Sequence, residues 1–305
     1  MKNIIIIIIL LAVGFGLYSL TNRTEDGAVV IENELSEETN PEENMDQEKE
    51  VVPAEVAWAR KETIGASVEG KDIVAYQYGT GEKELLFVGG IHGGYSWNTA
   101  TVAYDLIDYI ENNEGMIADD IQVTVIPVLN PDGLSDIAPN YASGVSSSDI
   151  SASETAKVAS RFNANKVDLN RNFDCDWQEN AKWQNKDVSG GGQVFSEPET
   201  RAIRDYVSAN NPTSVVVYYS AAGGVFSSSC HNGVLPETTK ITELYAKASG
   251  YKAYDKFDFY ATTGDLVNWL AKEGIPAVSV LLTTHESPET NKNIEGFKAL
   301  LNYYK

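Results

Sequence analysis

Four short apolar runs, at residues 85–88, 123–129, 214–219 and 277–282, constrain the fold more than any other feature of the chain. None alternates polar with apolar, so each must be covered on both faces, as strands inside a largely parallel sheet are. Helical stretches lie between them. Residues 99–110 place Val102, Leu106, Tyr109 and Ile110 on one side, and residues 238–249 and 265–273 are also helical, the latter stopped by Gly274 and Pro276. Ser196-Glu197-Pro198-Glu199 reads as a capping box, with Ser196 as the cap and Glu199 reaching back, opening a helix that runs through Val207. Strands joined by helical crossovers imply an α/β fold: a mixed, mostly parallel sheet with helices on both faces. In such a sheet the ligand site lies outside the carboxyl ends of the strands. His92, Asn130, Tyr219 and Leu281 all fall there. The serine-rich stretch 135–160 reads as a long surface loop, either mobile or part of a pocket rim.

Ahead of this globular region, residues 58–305, come two segments of different character. Residues 4–20 are 17 uncharged residues preceded only by Lys2, at the short end of what spans a bilayer and longer than a signal-peptide core. The bulky sequence Leu17-Tyr18-Ser19-Leu20 offers no small-residue cleavage site, which favours an uncleaved anchor for residues 1–20 over a cleaved signal. The body is then membrane-anchored outside the cytoplasm, or secreted. Residues 21–57 read as an acidic disordered tether, because between residues 21 and 56 twelve Asp or Glu stand against Arg23 and Lys49 and supply ten of the chain's 21 excess negative charges. An arm for a basic partner is the alternative. Nucleic acid is excluded as a partner, since counterion release needs clustered Lys and Arg.

Cys175 and Cys230 are the two cysteines of the chain. In an exported protein an even pair is expected to form a disulfide, with two buried thiols as the alternative; neither sits in a recognisable cysteine-protease context.

Gly89-Gly90-Ile91-His92-Gly93-Gly94, Asn130-Pro131-Asp132-Gly133 and Val167-Asp168-Leu169-Asn170-Arg171-Asn172-Phe173, in that order, resemble the framework of the zinc carboxypeptidases over about residues 59–305. The resemblance implies a carboxypeptidase-like sheet of the eight-stranded type. It makes His92 the first zinc histidine and Asp168 the carboxylate that orients its other ring nitrogen. It makes Arg161 the group that polarises the scissile carbonyl, and Asn170 with Arg171 the pair that grips a terminal carboxylate. Tyr260, ahead of Ala261-Thr262-Thr263-Gly264-Asp265, corresponds to the tyrosine that closes over bound peptide. Taken singly, these residues allow plainer readings. His92 can be a structural histidine, Arg171 an ion pair with Asp168 or Asp174, Tyr260 simple packing, and residues 130–133 a turn.

The positions where that family keeps its chemistry are altered. A glutamate ligand, a second histidine ligand and a glutamate base are replaced by Ser96, Tyr219 and Leu281. A catalytic zinc needs three protein ligands and an open position, and a leucine moves no proton. His231 and His285 do not stand where they would converge with His92. His92 is therefore a vestigial ligand, no cofactor is expected at full occupancy, and zinc returns only if ligation is rescued.

Three functions remain open. One is a non-hydrolytic domain that still recognises peptide or protein carboxyl termini, envelope peptides among them, through Arg161, Asn170, Arg171 and Tyr260. The second is an active metallocarboxypeptidase. The third is a scaffold or interaction domain without a ligand.

Overall fold

The structure, a computed structural model, describes residues 58–305; the anchor expected at residues 1–20 and the tether expected at 21–57 lie outside the described residues. In chain order the elements are β1 (Ala59–Ala66), β2 (Asp72–Tyr78), β3 (Lys83–Val88), α1 (Trp97–Glu111), β4 (Ile121–Ile126), α2 (Pro131–Ser135) and α3 (Glu154–Ala159). They continue with β5 (Asn180–Trp183), β6 (Lys186–Ser189), α4 (Pro198–Asn210), β7 (Ser214–Ser220), β8 (Gly224–Ser227) and α5 (Pro236–Ser249). The last are β9 (Lys252–Tyr254), α6 (Leu266–Lys272), β10 (Ala277–Leu282) and α7 (Thr290–Tyr304).

Eight strands form one mixed sheet in the order β1-β2-β4-β3-β7-β10-β8-β9, with four parallel and three antiparallel pairings. The apolar runs seen in the sequence are its centre. Successive side chains leave opposite faces of a strand, so Leu85 and Phe87 of β3, Val216 and Tyr218 of β7, and Val278 and Val280 of β10 meet α1, α5 and α7 in one core. Leu86, Val88, Val215, Val217, Tyr219, Ala277 and Leu281 meet α4 and α6 in a second core on the other face. Burial on both faces is why these strands lack alternation.

Several local expectations fail for identifiable reasons. The capping box at residue 196 does not form: α4 starts at Pro198, its cap residue Glu197 makes no side-chain cap bond, and Glu199 is buried, accepting from the Val68 amide and Asn163 Nδ2 instead. Tertiary donors outcompeted the local one. The stretch 135–160 is not one loop; it holds α3 and two single 3₁₀ turns, and Val145, Ile137 and Ala138 pack on Trp97 and Ala100 of α1, so it covers that helix rather than rimming the cavity described below. Asn130 does not face the cavity either. It caps α2 by accepting from the Gly133 amide and donates to the Arg161 carbonyl, behind the site.

After β3 the chain turns sharply through Gly90 at φ +63° and Gly93 at φ +44°. A side chain at residue 93 would place its Cβ 2.4 Å from the Ser160 carbonyl oxygen, so glycine is required and His92 is held at the strand end.

Cys175 and Cys230 form a disulfide. Beside it, Phe173 and Gly264 exchange main-chain bonds with one another and with Cys175, pinning the segment after residue 172 to the loop ahead of α6. The bridge closes a 55-residue separation, worth about 4 kcal/mol in the chain-entropy account. The native protein is expected to show no reactive thiol until reduced, and reduction should lower its stability by about that amount in denaturant titrations. Rapid labelling of two thiols without reductant would contradict the bridge.

Candidate functional site

The carboxyl ends of β3, β7 and β10 open into a cavity of about 630 Å³ lined by His92, Arg161, Asn170, Arg171, Tyr219 and Leu281, with Tyr260 and His285 also on its wall. Parallel register puts Leu281 directly beside Tyr219. The residues that the sequence scatters over 190 positions share one space.

Asp168 sits below this space with no solvent exposure. Its Oδ2 accepts from Arg161 Nε at 3.0 Å and Nη2 at 2.8 Å, and its Oδ1 accepts from the Asn170 amide at 3.1 Å and lies 3.6 Å from His92 Nε2. Burial by itself would push the carboxyl pKa up; Arg161, then Arg171 and His92, outweigh it and hold it at about 2. Arg161 is further fixed by its guanidinium lying 4.3 Å from the Trp183 ring centroid.

His92 is buried, and neither ring nitrogen has a hydrogen-bond partner among the described residues. Burial first, and the Arg161 charge second, push its pKa well below the ordinary value, so the imidazole is neutral.

Asn170 accepts at Oδ1 from Tyr219 Oη at 3.2 Å and from the Leu266 amide at 3.1 Å. Its Nδ2 is therefore the end left for a ligand. Arg171 donates from Nε to the Lys182 carbonyl and from Nη1 to the Asn170 carbonyl, is 1% exposed, and has no acidic partner among the described residues. The ion pair with Asp168 or Asp174 is not made: Arg161 takes Asp168, and Lys272 takes Asp174. Tyr260 packs its half-buried ring on Phe257 at 4.9 Å.

Ser96 is buried with a hydroxyl that has no partner among the described residues, and it is not on the cavity wall; its neighbour Tyr95 is, with its ring 4.4 Å from His285 and 5.0 Å from Trp183. His285 joins the cavity through Ser220, while exposed His231 pairs with Asp176 outside it. Sequence reasoning missed Tyr95, Trp183, Ser220 and the aromatic residues Phe226, Phe257 and Phe259 of the cavity wall. One signal was present for Trp183: Trp183-Gln184-Asn185-Lys186 is a two-residue hairpin turn between β5 and β6, with Gln184 at φ +55°.

The family model for zinc carboxypeptidases matches residues 50–283. The chain belongs to the zinc carboxypeptidase family. Its fold is that of bovine thrombin-activatable fibrinolysis inhibitor, with 17% identity, 81% of this chain and 88% of the other covered, and a TM-score of 0.61. It is also that of murein-tripeptide amidase from Escherichia coli O157, with 20% identity, coverages of 79% and 91%, and a TM-score of 0.52. Among curated proteins, bacteriocin BCN5 of Clostridium perfringens is 34% identical over 90 residues, which is 28% of this chain; the match spans a tenth of that relative.

Within this zinc carboxypeptidase frame the residues present do not fit zinc. His92 offers one nitrogen. Tyr219, whose phenol is pushed well above its ordinary pKa by burial and then by Asp265, spends its proton on Asn170 and supplies no anionic oxygen. Leu281 supplies no donor at all. Among the described residues no group of three or more His, Cys, Asp or Glu is placed to hold a metal ion.

Two outcomes follow from this geometry. The domain prepared without chelator should carry far less than one zinc per chain by elemental analysis, and since Tyr95 rather than Ser96 faces the cavity, Tyr95→Glu combined with Tyr219→His should gain zinc where Ser96→Glu with Tyr219→His should not. Stoichiometric zinc that disappears on His92→Ala would contradict this. Asp168→Asn, which strands the buried Arg161, should cost about 3–5 kcal/mol in denaturant titrations. Because the folded carboxyl titrates at about 2, below its ordinary value near 3.9, the native contribution is complete above about pH 4 and is lost as pH falls through 2. The asparagine variant should lack that acid-dependent step.

Proposed function

We propose that the cavity binds the free carboxyl terminus of peptides or proteins, and that it does so without the metal-dependent hydrolysis of the zinc carboxypeptidase family. The observation that carries this reading is Arg171, a guanidinium buried at 1% exposure on the cavity wall with no acidic partner among the described residues. A charge so placed is costly unless an anion completes it. The flat fork of arginine matches a carboxylate, and Asn170 Nδ2 stands next to it. Against hydrolysis by the family's route stand Tyr219 and Leu281, neither of which can hold a metal or move a proton from water.

The aromatic wall formed by Phe226, Phe257, Phe259 and Tyr260 favours a bulky apolar side chain on the terminal residue. The disulfide and the exported class of such a chain support a place outside the cytoplasm, where the carboxyl ends of envelope and extracellular peptides are the available ligands.

With the grip resting on charge-assisted bonds worth about 1.5–3 kcal/mol each, affinity should be on the order of micromolar to millimolar. By calorimetry, amidating the peptide carboxyl group should weaken binding at least about tenfold, as should Arg171→Ala, while Arg171→Lys recovers only part because a point charge lacks the second prong. Peptides ending in Phe should bind more tightly than the same peptides ending in Gly. Equal affinity for free and amidated peptides would sink the reading.

A further inference from the structure

The cavity wall carries a second constellation that carboxylate binding does not use. Ser220, the half-buried last residue of β7, donates its hydroxyl proton to Asn98 Oδ1 at 3.1 Å and has the same Oγ 3.1 Å from His285 Nδ1. Asn98 is fully buried and cannot turn over, because its Nδ2 donates to the Thr284 carbonyl at 2.8 Å and the Ser287 carbonyl at 3.0 Å. Only its oxygen can face Ser220. Those same two bonds tie the segment that carries His285 to the start of α1, so one buried amide sets the spacing between serine and histidine.

His285 is held for the task of a base. Its ring packs against Tyr95 at 4.4 Å, and burial, followed by the Arg161 charge, keeps its pKa below the ordinary value, leaving a neutral imidazole at neutral pH. Arg161 lines the same cavity and, with two of its five N–H groups committed to Asp168, has donors left for an oxygen that becomes negative.

We propose that Ser220 and His285 form a nucleophile–base pair that takes an acyl group from an ester or amide bound in the cavity, without a metal. The Ser220 hydroxyl turns from Asn98 Oδ1 to His285 Nδ1, its Oγ bonds to the acyl carbon as the proton passes to that nitrogen, and Arg161 stabilises the oxyanion. The bond from acyl carbon to the alkoxy oxygen or amine nitrogen then breaks, and the leaving group takes the proton from His285. Water, deprotonated by His285, attacks the acyl-serine; the carboxylic acid leaves and Ser220 regains its proton. The arrangement meets the geometric condition for an activated serine, nucleophile and base within hydrogen-bond reach and the base oriented by its surroundings. Orientation of a leaving group that carries a carboxylate rests on the Arg171 grip proposed above; the pair itself does not.

The test is covalent. The full chain is incubated with a small alkyl fluorophosphonate, which bears no carboxylate, and adducts are mapped by peptide mass. Ser220 should be labelled to near one per chain, while Ser227, a cavity serine whose hydroxyl pairs with Thr242 instead of a histidine, stays unmodified. Ser220→Ala should remove the adduct, and His285→Gln should slow labelling about 10²-fold or more, the scale of lost general-base help. Absence of an adduct at Ser220, labelling of Ser220 no faster than Ser227, or a folded His285→Gln protein that labels as fast as the native one would each overturn the proposal. Should His285→Gln fail to fold, the comparison of Ser220 with Ser227 in the native protein decides alone. Labelling without carboxylate affinity would remove only the carboxyl-terminus reading, and carboxylate affinity without labelling would remove only this one.

Discussion

One carboxylate oxygen of Asp168 takes two guanidinium bonds from Arg161, while the other takes the Asn170 amide and faces His92. Three groups of the cavity are thereby referred to a single buried anion. Removing that charge from water is costly, and the arrangement stands because Arg161 and Arg171 together over-neutralise it. The surplus is the chemical character of the site. Arg161 is paired with Asp168, and Asp265, a buried acid on the cavity wall, is committed to capping α6 through the Asn268 amide and Nδ2, so Arg171 is the buried guanidinium without an acidic partner among the described residues.

The family frame and the family chemistry separate cleanly in this chain. Arg161, Asn170 and Arg171 are gathered on the cavity wall about the turn at residues 168–172, Arg161 paired with Asp168 and Arg171 bonded only to main-chain carbonyls. At the strand ends, β7 carries Tyr219 and β10 carries Leu281 side by side. Both belong to the second core of the sheet. Their phenol and aliphatic side chains extend that core to the floor of the cavity. Ser220, the last residue of β7, meets His285, whose segment Asn98 ties to the start of α1.

Most of the central sheet was legible from the chain. β3, β7 and β10 are continuous apolar runs, and such runs can be satisfied only by cover on both faces. The edges were not: β1 and β2, β8 and β9, and the β5–β6 hairpin are short or mixed in character, and their pairing comes from neighbours distant in sequence. The local capping pattern at residue 196 misled because Glu199 is drawn inward by the Val68 amide and Asn163, donors supplied from 131 and 36 residues away.

Strand ends placed His92, Tyr219 and Leu281 in one neighbourhood from the sequence, as they did Asn130, which the fold turns away; Arg161, Asp168, Asn170, Arg171 and Tyr260 joined them through the family resemblance. Sequence alone therefore determined the fold class and the family. Tertiary structure decided the partners. That Arg161 rather than Arg171 takes Asp168, that Tyr95 rather than Ser96 faces the cavity, and that His285 meets Ser220 all depend on side-chain direction and on packing between elements far apart in the chain. Residue type and spacing encode neither, because the energy of a buried charge or hydroxyl is set by whichever group the fold happens to bring within about 3 Å of it.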